Sequence, residues 1–281
     1  SLELDILPKL GNVPISRITA PLTIEVLQGP KNRGNLETVK RITGRLNEVM
    51  TYAVNVGLVS ANPLAGIRAA FEKPKVKNQP TIPPNELPRL MRDLYEASIQ
   101  LQTRLLIELQ LHTMTRPNEV AEARWDEFDL QERLWIIPAD RMKKSREHAI
   151  PLSPEVVQIL ERLGSMSGGS EFLFPSLRST SGHSNTQTAN TALKRMGYKD
   201  RLTSHGLRSI ASTVLHEHGF QSELIEIALS HTSGNQTRDA YDRSQQVERR
   251  RQMMHWWSAY IDGARLGRAS STFPSLARVR A

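Results

Sequence analysis

From Leu36 onward the apolar residues Val39, Ile42, Leu46, Val49, Met50 and Ala53 recur at steps of three and four, the period that gathers side chains on one face of a helix. The pattern predicts an amphipathic helix ending near Gly57. Arg41 and Arg45 lie four apart within it and share a face. Residues 1 to 75 therefore read as a small domain of helices joined by short turns, with a basic face. From Phe71 to Pro88 the pattern stops, and five prolines fall in a charged run. Proline cannot sit inside a helix or a sheet ladder, so this composition predicts an extended, semi-rigid connector over residues 76–88, at a domain boundary.

Beyond the connector, Leu90 to Leu111 has helical periodicity, and Pro117 to Ala123 begins another helix with proline at a tolerated early position. Two strand-like runs, Leu134 to Ile137 and His148 to Leu152, flank the basic stretch Arg141 to Arg146, as in a β-hairpin with a cationic tip or edge. Helices resume at Pro154 to Leu163, Gln187 to Met196, Leu207 to His216, Ser222 to Leu229 and Val247 to Ile261. Residues 89–262 thus form a helix-rich domain with a small antiparallel sheet, and the fold class is mainly α (α+β). The segment from Gln245, with Met253, Met254, Trp256 and Trp257, packs on its own domain or on a neighbouring protomer, the former being the simpler expectation. Residues 263–281 read as a loosely held tail.

Composition narrows the partners. A length of 281 residues suits about two domains. The mean hydropathy is −0.42, and no apolar run approaches the roughly 18 residues of a membrane-spanning helix, so no membrane is expected as a partner. The absence of cysteine excludes disulfide frameworks, cysteine zinc fingers and cysteine nucleophiles, and fits a cytoplasmic location. Net charge is +8 overall, and it divides as +4 over residues 1–75, −2 over 76–193 and +6 over 194–281. A polyanion touching both ends of the chain accounts for that distribution; so does ordinary solubilising charge.

Four pieces of the chain carry candidate chemistry. Arg116 stands three residues before Glu119, whose carboxylate can orient the guanidinium. In Thr203-Ser204-His205-Gly206-Leu207-Arg208, His205 and Arg208 share a face at a helix N-terminus that Thr203 or Ser204 can cap, and such a terminus favours an anion such as phosphate. Leu229-Ser230-His231 ends a predicted helix, ten residues before Tyr241. Lys143 sits on the hairpin. Taken singly, each has an ordinary explanation: a surface ion pair, a hydrogen-bonded histidine, a packing tyrosine, a solvated lysine. His216-Glu217-His218 lacks the spacing that puts two imidazoles on one helix face, and no metal is expected there.

Order and spacing change the weight of these pieces. An Arg, then a Lys on a β-hairpin, then H-x-x-R, then a His ten residues before a Tyr resembles the tyrosine recombinase family, also called the phage integrases. The text Arg116-Pro-Asn-Glu-Val, Arg141-Met-Lys-Lys followed by His148-Ala-Ile-Pro-Leu-Ser, Arg195-Met-Gly-Tyr and Glu248-Arg-Arg-Arg-Gln-Met-Met-His-Trp-Trp is similar to the branch encoded by P4-like prophages and genomic islands. The likeness covers about residues 10–262. It departs from the common pattern in Ser230, where many relatives carry glycine, and in a His-to-Tyr spacing of ten rather than nine.

The resemblance implies the tyrosine recombinase catalytic fold, a core-type DNA-binding domain over residues 1–75, and DNA cleavage by tyrosine attack on a scissile phosphate to integrate or excise a mobile element. It assigns Arg116, Lys143, His205, Arg208, His231 and the nucleophile Tyr241 to catalysis, with Glu119 supporting Arg116. Lys144 competes with Lys143 for its role. Lys31, Arg33, Arg41 and Arg45 become the DNA contacts of the first domain. The implied partners are a double-stranded attachment-site core, three further copies of the chain in a tetramer on paired sites, and accessory DNA-bending or directionality proteins on the bacterial nucleoid; no cofactor or metal is implied. Members of this branch carry a further N-terminal arm-binding domain, so a chain starting at Ser1 reads as a fragment. A type IB topoisomerase-like relaxer and a catalytically inactive DNA-binding relative are the alternatives.

Overall fold

The structure, a computed structural model, describes residues 2–75, 78–143, 145–166, 168–176, 179–231 and 243–267, without the side chains of 243–245. Its backbone divides into two compact units, Ser1–Asn78 and Gln79–Ala281.

The first unit is helical. A turn over Leu2–Ile6 runs into α1 (Leu7–Leu10), followed by α2 (Ala20–Asn32) and α3 (Leu36–Asn55). Thr19 caps α2 by accepting the Leu22 amide at 3.4 Å, and Pro21 occupies its first turn, where a missing N–H costs nothing. The apolar stripe of α3 buries Ala53 and packs Val39, Ile42 and Met50 into one core with Val26 and Leu27 of α2, closed by Ile6, Leu10, Leu64 and Ile67. Each fully buried aliphatic side chain contributes roughly 1.5–3 kcal/mol. Val49 departs from the expected stripe and is exposed, because a helix turns 100° per residue and Met50 already fills the inward direction.

The second unit begins in the proline-rich run. Pro80 to Leu87 is anchored to it: the Thr203 amide donates to the Pro80 carbonyl (3.1 Å), the Thr81 hydroxyl donates to the Gly206 carbonyl (2.9 Å), and Ile82 and Leu87 enter the core. Pro84 and Pro88 occupy the first turns of a 3-10 turn (Pro84–Glu86) and of α4 (Leu87–Glu96). The periodic stretch from Leu90 divides into α4 and α5 (Leu101–Thr113), with Ala97 and Gln100 extended between them. Arg104 stabilises the break by donating to the carbonyl of Leu94 in the last turn of α4 (3.0 Å) and to that of Ala97 (2.9 Å), which also accepts the Ile99 amide at 2.9 Å.

α6 (Pro117–Ala121) leads to an antiparallel sheet in the order β1 (Phe128–Asp129), β2 (Leu134–Ile137), β3 (His148–Pro151). Trp135 pairs with Phe128 on one side and Ile150 on the other. β1, only two residues long, is not visible in the pattern of alternation. Helices α7 (Pro154–Gly164), α8 (Thr188–Leu193), α9 (Gly206–Glu217) and α10 (Ser222–Ala228) follow.

The last helix, α11 (Arg243–Arg265), packs on its own domain across α4, α5 and β3. It buries Met253, Met254, Trp257 and Ile261, and the Trp257 indole donates to the Leu111 carbonyl at 2.8 Å. It continues past Asp262, the expected boundary, as far as Arg265, with Ala264 still buried. No helix among the described residues is long and apolar enough to cross a membrane.

Candidate active site

The site is built where α10 stops. Leu229 and Ser230 follow the last turn of this helix, and the chain reverses through Ser230 at φ 51°, with the His231 amide returning to the Glu226 carbonyl at 2.8 Å. This is the left-handed helix end that usually takes glycine. It leaves two adjacent carbonyls pointing at two guanidiniums. Arg116, at the start of α6, donates to the Ser230 carbonyl at 3.0 Å, and Arg208, in the first turn of α9, donates to the Leu229 carbonyl. One turn thereby aligns two arginines 92 positions apart in the chain and presents His231 next to them.

Each arginine has a second anchor. Glu119 receives the Arg116 guanidinium on one carboxylate oxygen and the Arg116 amide on the other, both at 2.7 Å. The carboxylate is buried, while the Arg116 side chain is 20% exposed. Arg208 is buried and also donates to the carbonyl of Met114, which sits at φ 56° at the end of α5. Arg208 rests on carbonyl oxygens, so burial, and then the nearby Arg116 charge, lowers its pKa to about 10. It stays charged at neutral pH. Arg116, paired with the buried Glu119, and Arg208, held by carbonyls alone, are two fixed cations able to take the oxygens of a phosphate.

His205 precedes α9 and is exposed. Thr203 supplies the cap, accepting the Gly206 amide at 3.1 Å, whereas the Ser204 hydroxyl is spent on Gln110 Oε1 at 2.6 Å. Gln110 also donates to the carbonyls of Thr115 and Ser204 at 3.2 and 3.1 Å, so α5 ties the approach to Arg116 to the turn carrying His205. The His205 pKa is lowered from the ordinary value by partial burial, then by Arg208, Arg116 and His231, against a weaker opposite pull from Glu119. The shift favours the neutral imidazole, the form able to accept a proton. His231 places Nδ1 2.8 Å from Glu226 Oε2, with both side chains 47% exposed. That bond assigns the proton to Nδ1 and leaves Nε2 free of this contact.

Arg116, Glu119, His205, Arg208 and His231 are therefore brought together. Lys143 is exposed on the connection between β2 and β3, outside this hydrogen-bonded cluster. Lys144 and Tyr241 lie outside the described residues, Tyr241 within 232–242. Of the proposed DNA contacts, Arg41 and Arg45 are exposed on α3, Arg41 within 3.7 Å of Glu37; Arg33 is exposed and paired with Asp5, and Lys31 is half-buried. Glu226 was not singled out from the sequence, although its place five residues before His231 at a helix end is a usable signal. The carbonyls of Met114, Leu229 and Ser230 carry no side-chain signal at all.

His216 and His218 do not approach the cluster. Their Nδ1 atoms meet carbonyls one helical turn back, at 2.7 and 2.9 Å, and His218 packs against Trp256 and Tyr260.

Two family models match the chain: the phage integrase family over residues 80–248 and the phage integrase central domain over residues 1–70. The prophage integrase IntA of Escherichia coli strain K12 is 49% identical over 280 residues, covering 100% of this chain and 67% of that protein. The integrase of Enterobacteria phage P4 is 33% identical over 277 residues, covering 93% of this chain and 63% of that protein. The chain thus spans about two thirds of the length of these relatives. Among solved structures it is similar to a lambda integrase dimer bound to a COC′ core site (TM-score 0.64, 20% identity, 82% of this chain and 84% of that one). It is also similar to a lambda integrase tetramer bound to a Holliday junction (TM-score 0.60, 20% identity, 79% and 66%). At these identities the structural likeness speaks for the fold.

Proposed function

The chain belongs to the phage integrase family of tyrosine-type site-specific recombinases, and from that premise we propose that it cleaves and rejoins DNA at an attachment core to integrate or excise a prophage or genomic island. One observation carries the assignment to this site: Arg116 and Arg208 are held on adjacent carbonyls of the turn that presents His231, and His205 stands at the start of the helix that carries Arg208.

In this reading the phenol oxygen of Tyr241 attacks the scissile phosphorus and forms a 3′-phosphotyrosine as the bond to the 5′ oxygen breaks. A phenol has a reference pKa near about 10, so its proton must leave during attack; His205 accepts it. Arg116 and Arg208 hold the non-bridging oxygens, and because they are anchored beforehand they add charge stabilisation without reorganising as the transition state gains negative charge. His231 completes the clamp as an imidazolium, with Nδ1–H on Glu226 and Nε2–H donating to a non-bridging oxygen. Lys143 protonates the departing 5′ oxygen. The phosphodiester energy is kept in the phosphotyrosine, so attack by another 5′ hydroxyl reverses the sequence on a new strand. The scheme draws on no metal or nucleotide.

Residues 1–75 act as the core-binding domain, with the exposed Arg41 and Arg45 as its leading phosphate contacts, and residues 89–262 as the catalytic domain. Pairing of two sites brings four copies of the chain together, as in the lambda integrase tetramer on a Holliday junction, and places the protein on the bacterial nucleoid. Accessory DNA-bending or directionality proteins would set the direction of the reaction.

A nicked suicide duplex containing the attachment core tests the reading. The protein is expected to form a covalent adduct visible on a denaturing gel, and Tyr241→Phe to form none while still retarding the duplex. Binding without an adduct in the wild type, or an adduct that persists in Tyr241→Phe, overturns it. Strand exchange between two sites separates a recombinase from a DNA relaxer.

A further inference from the structure

Arg141 stands two residues before Lys143, and its side chain is 13% exposed. Its guanidinium is forked. One arm donates to the carboxylate of Glu127, which is 4% exposed, and the other to the main-chain carbonyl of Glu119 at 2.8 Å. Glu127 is itself fixed from two directions, by the indole N–H of Trp135 on β2 at 2.9 Å and the Arg124 amide at 3.3 Å. Glu119 is the residue whose carboxylate carries Arg116. A continuous set of contacts therefore runs from Arg116 through α6 to the start of the β2–β3 connection. On that connection, Ala139–Arg141 forms a single 3-10 turn and Met142 is buried. Lys143 is the first exposed residue after this double anchorage.

A buried ion pair is weak evidence for stability, since apolar residues of similar volume do as well. The second arm of the fork has a more specific consequence. A planar guanidinium that bridges a carboxylate and a carbonyl sets direction as well as distance, which a lysine cannot reproduce. Resting on the proposed role of Lys143 as the acid for the leaving oxygen, we infer that Arg141 is a positioning residue: it locks the root of the β2–β3 connection onto the helix that carries Arg116, so that the acid and the phosphate clamp keep one mutual geometry.

The chemistry of the leaving group separates positioning from plain structural support. A 5′ oxygen needs a proton as it departs. A sulfur at the same bridging position leaves as a thiolate, whose conjugate acid has a reference pKa of about 8.5, and needs none. Single-turnover cleavage of suicide duplexes with oxygen or with bridging sulfur at the scissile position is to be compared for the wild type, Lys143→Ala, Arg141→Lys and Glu127→Gln, each checked for retained core binding.

Lys143→Ala is expected to lose roughly 100-fold or more on the oxygen substrate, within the usual range for general acid catalysis, and to be restored by sulfur. Arg141→Lys keeps a cation for Glu127 but not the fork; it is expected to lose about 10-fold on oxygen, through misplacement of the acid, and little on sulfur. Glu127→Gln should show the same sparing to a smaller degree, and it serves if Arg141→Lys fails to fold. Equal losses on both substrates in the Arg141 and Glu127 variants, or no loss on either, overturn the inference while leaving the reading of Lys143 intact. Failure of sulfur to restore Lys143→Ala overturns that reading and the inference with it.

Discussion

Ser230 holds a backbone conformation that suits glycine, and the site depends on it. At φ 51° a side chain crowds the following carbonyl at a cost of about 1–2 kcal/mol. Replacing it with glycine relieves that crowding but adds freedom to the unfolded chain, an opposing effect of about 0.4–1 kcal/mol. Ser230→Gly is therefore expected to gain about 0.5–1 kcal/mol of stability, seen as a higher urea midpoint with an unchanged slope. An unchanged or lower midpoint would mean that the serine is not strained. The side chains of this site were largely legible in the sequence, because Arg116, His205, Arg208 and His231 are recognisable by type and order. Their anchors were not. Arg208 is oriented by the carbonyls of Met114 and Leu229, and a carbonyl is the same group at every position.

Between elements, the Pro80 to Ile82 strap lies hard against the first turn of α9. A methyl group added at Gly206 would run into the Pro80 carbonyl and press on Leu202, while Pro80 is held by the Thr203 amide and Thr81 by the Gly206 carbonyl. At an unconstrained helical position Gly→Ala stabilises by up to about 1 kcal/mol. Here overpacking dominates, and Gly206→Ala is expected to destabilise the second unit by about 1–3 kcal/mol in urea unfolding; a stabilising change would show that the strap yields. Proline content read as an extended connector, and composition carries no information about which core an extended strand lies on. The break between α4 and α5 was hidden for a related reason. Apolar periodicity continues across it, and what stabilises the break is a guanidinium from the following helix.

At the scale of the molecule, two buried histidines link stability to pH. Burial pushes His112 down to about 4 and His148 down to about 3, the latter also through Arg250, Arg208 and Arg116. Both values lie below the ordinary 6.5, so the unfolded chain takes up protons first. The stability that neutral imidazoles support is complete above about pH 6.5 and falls as pH drops through the window toward 4 and then 3. Each histidine contributes up to about 1.4 kcal/mol per pH unit there. Urea unfolding followed by tryptophan fluorescence reports the second unit alone, since Trp125, Trp135, Trp256 and Trp257 all belong to it. The unfolding free energy is expected to drop between pH 6.5 and 5, with a slope reduced by about one proton in His112→Gln. A flat profile would mean that neither imidazole is held neutral. The sequence by itself determined the helical faces, the small antiparallel sheet and the family to which the ordered set of side chains belongs, because hydropathy period and residue type are local properties. Only the tertiary structure decided that the ends of α5 and α10 supply the oxygens that aim both arginines, and that Arg141 joins the hairpin to α6. Those contacts depend on which main-chain groups a helix end leaves unpaired and what folds against them, which no residue type encodes.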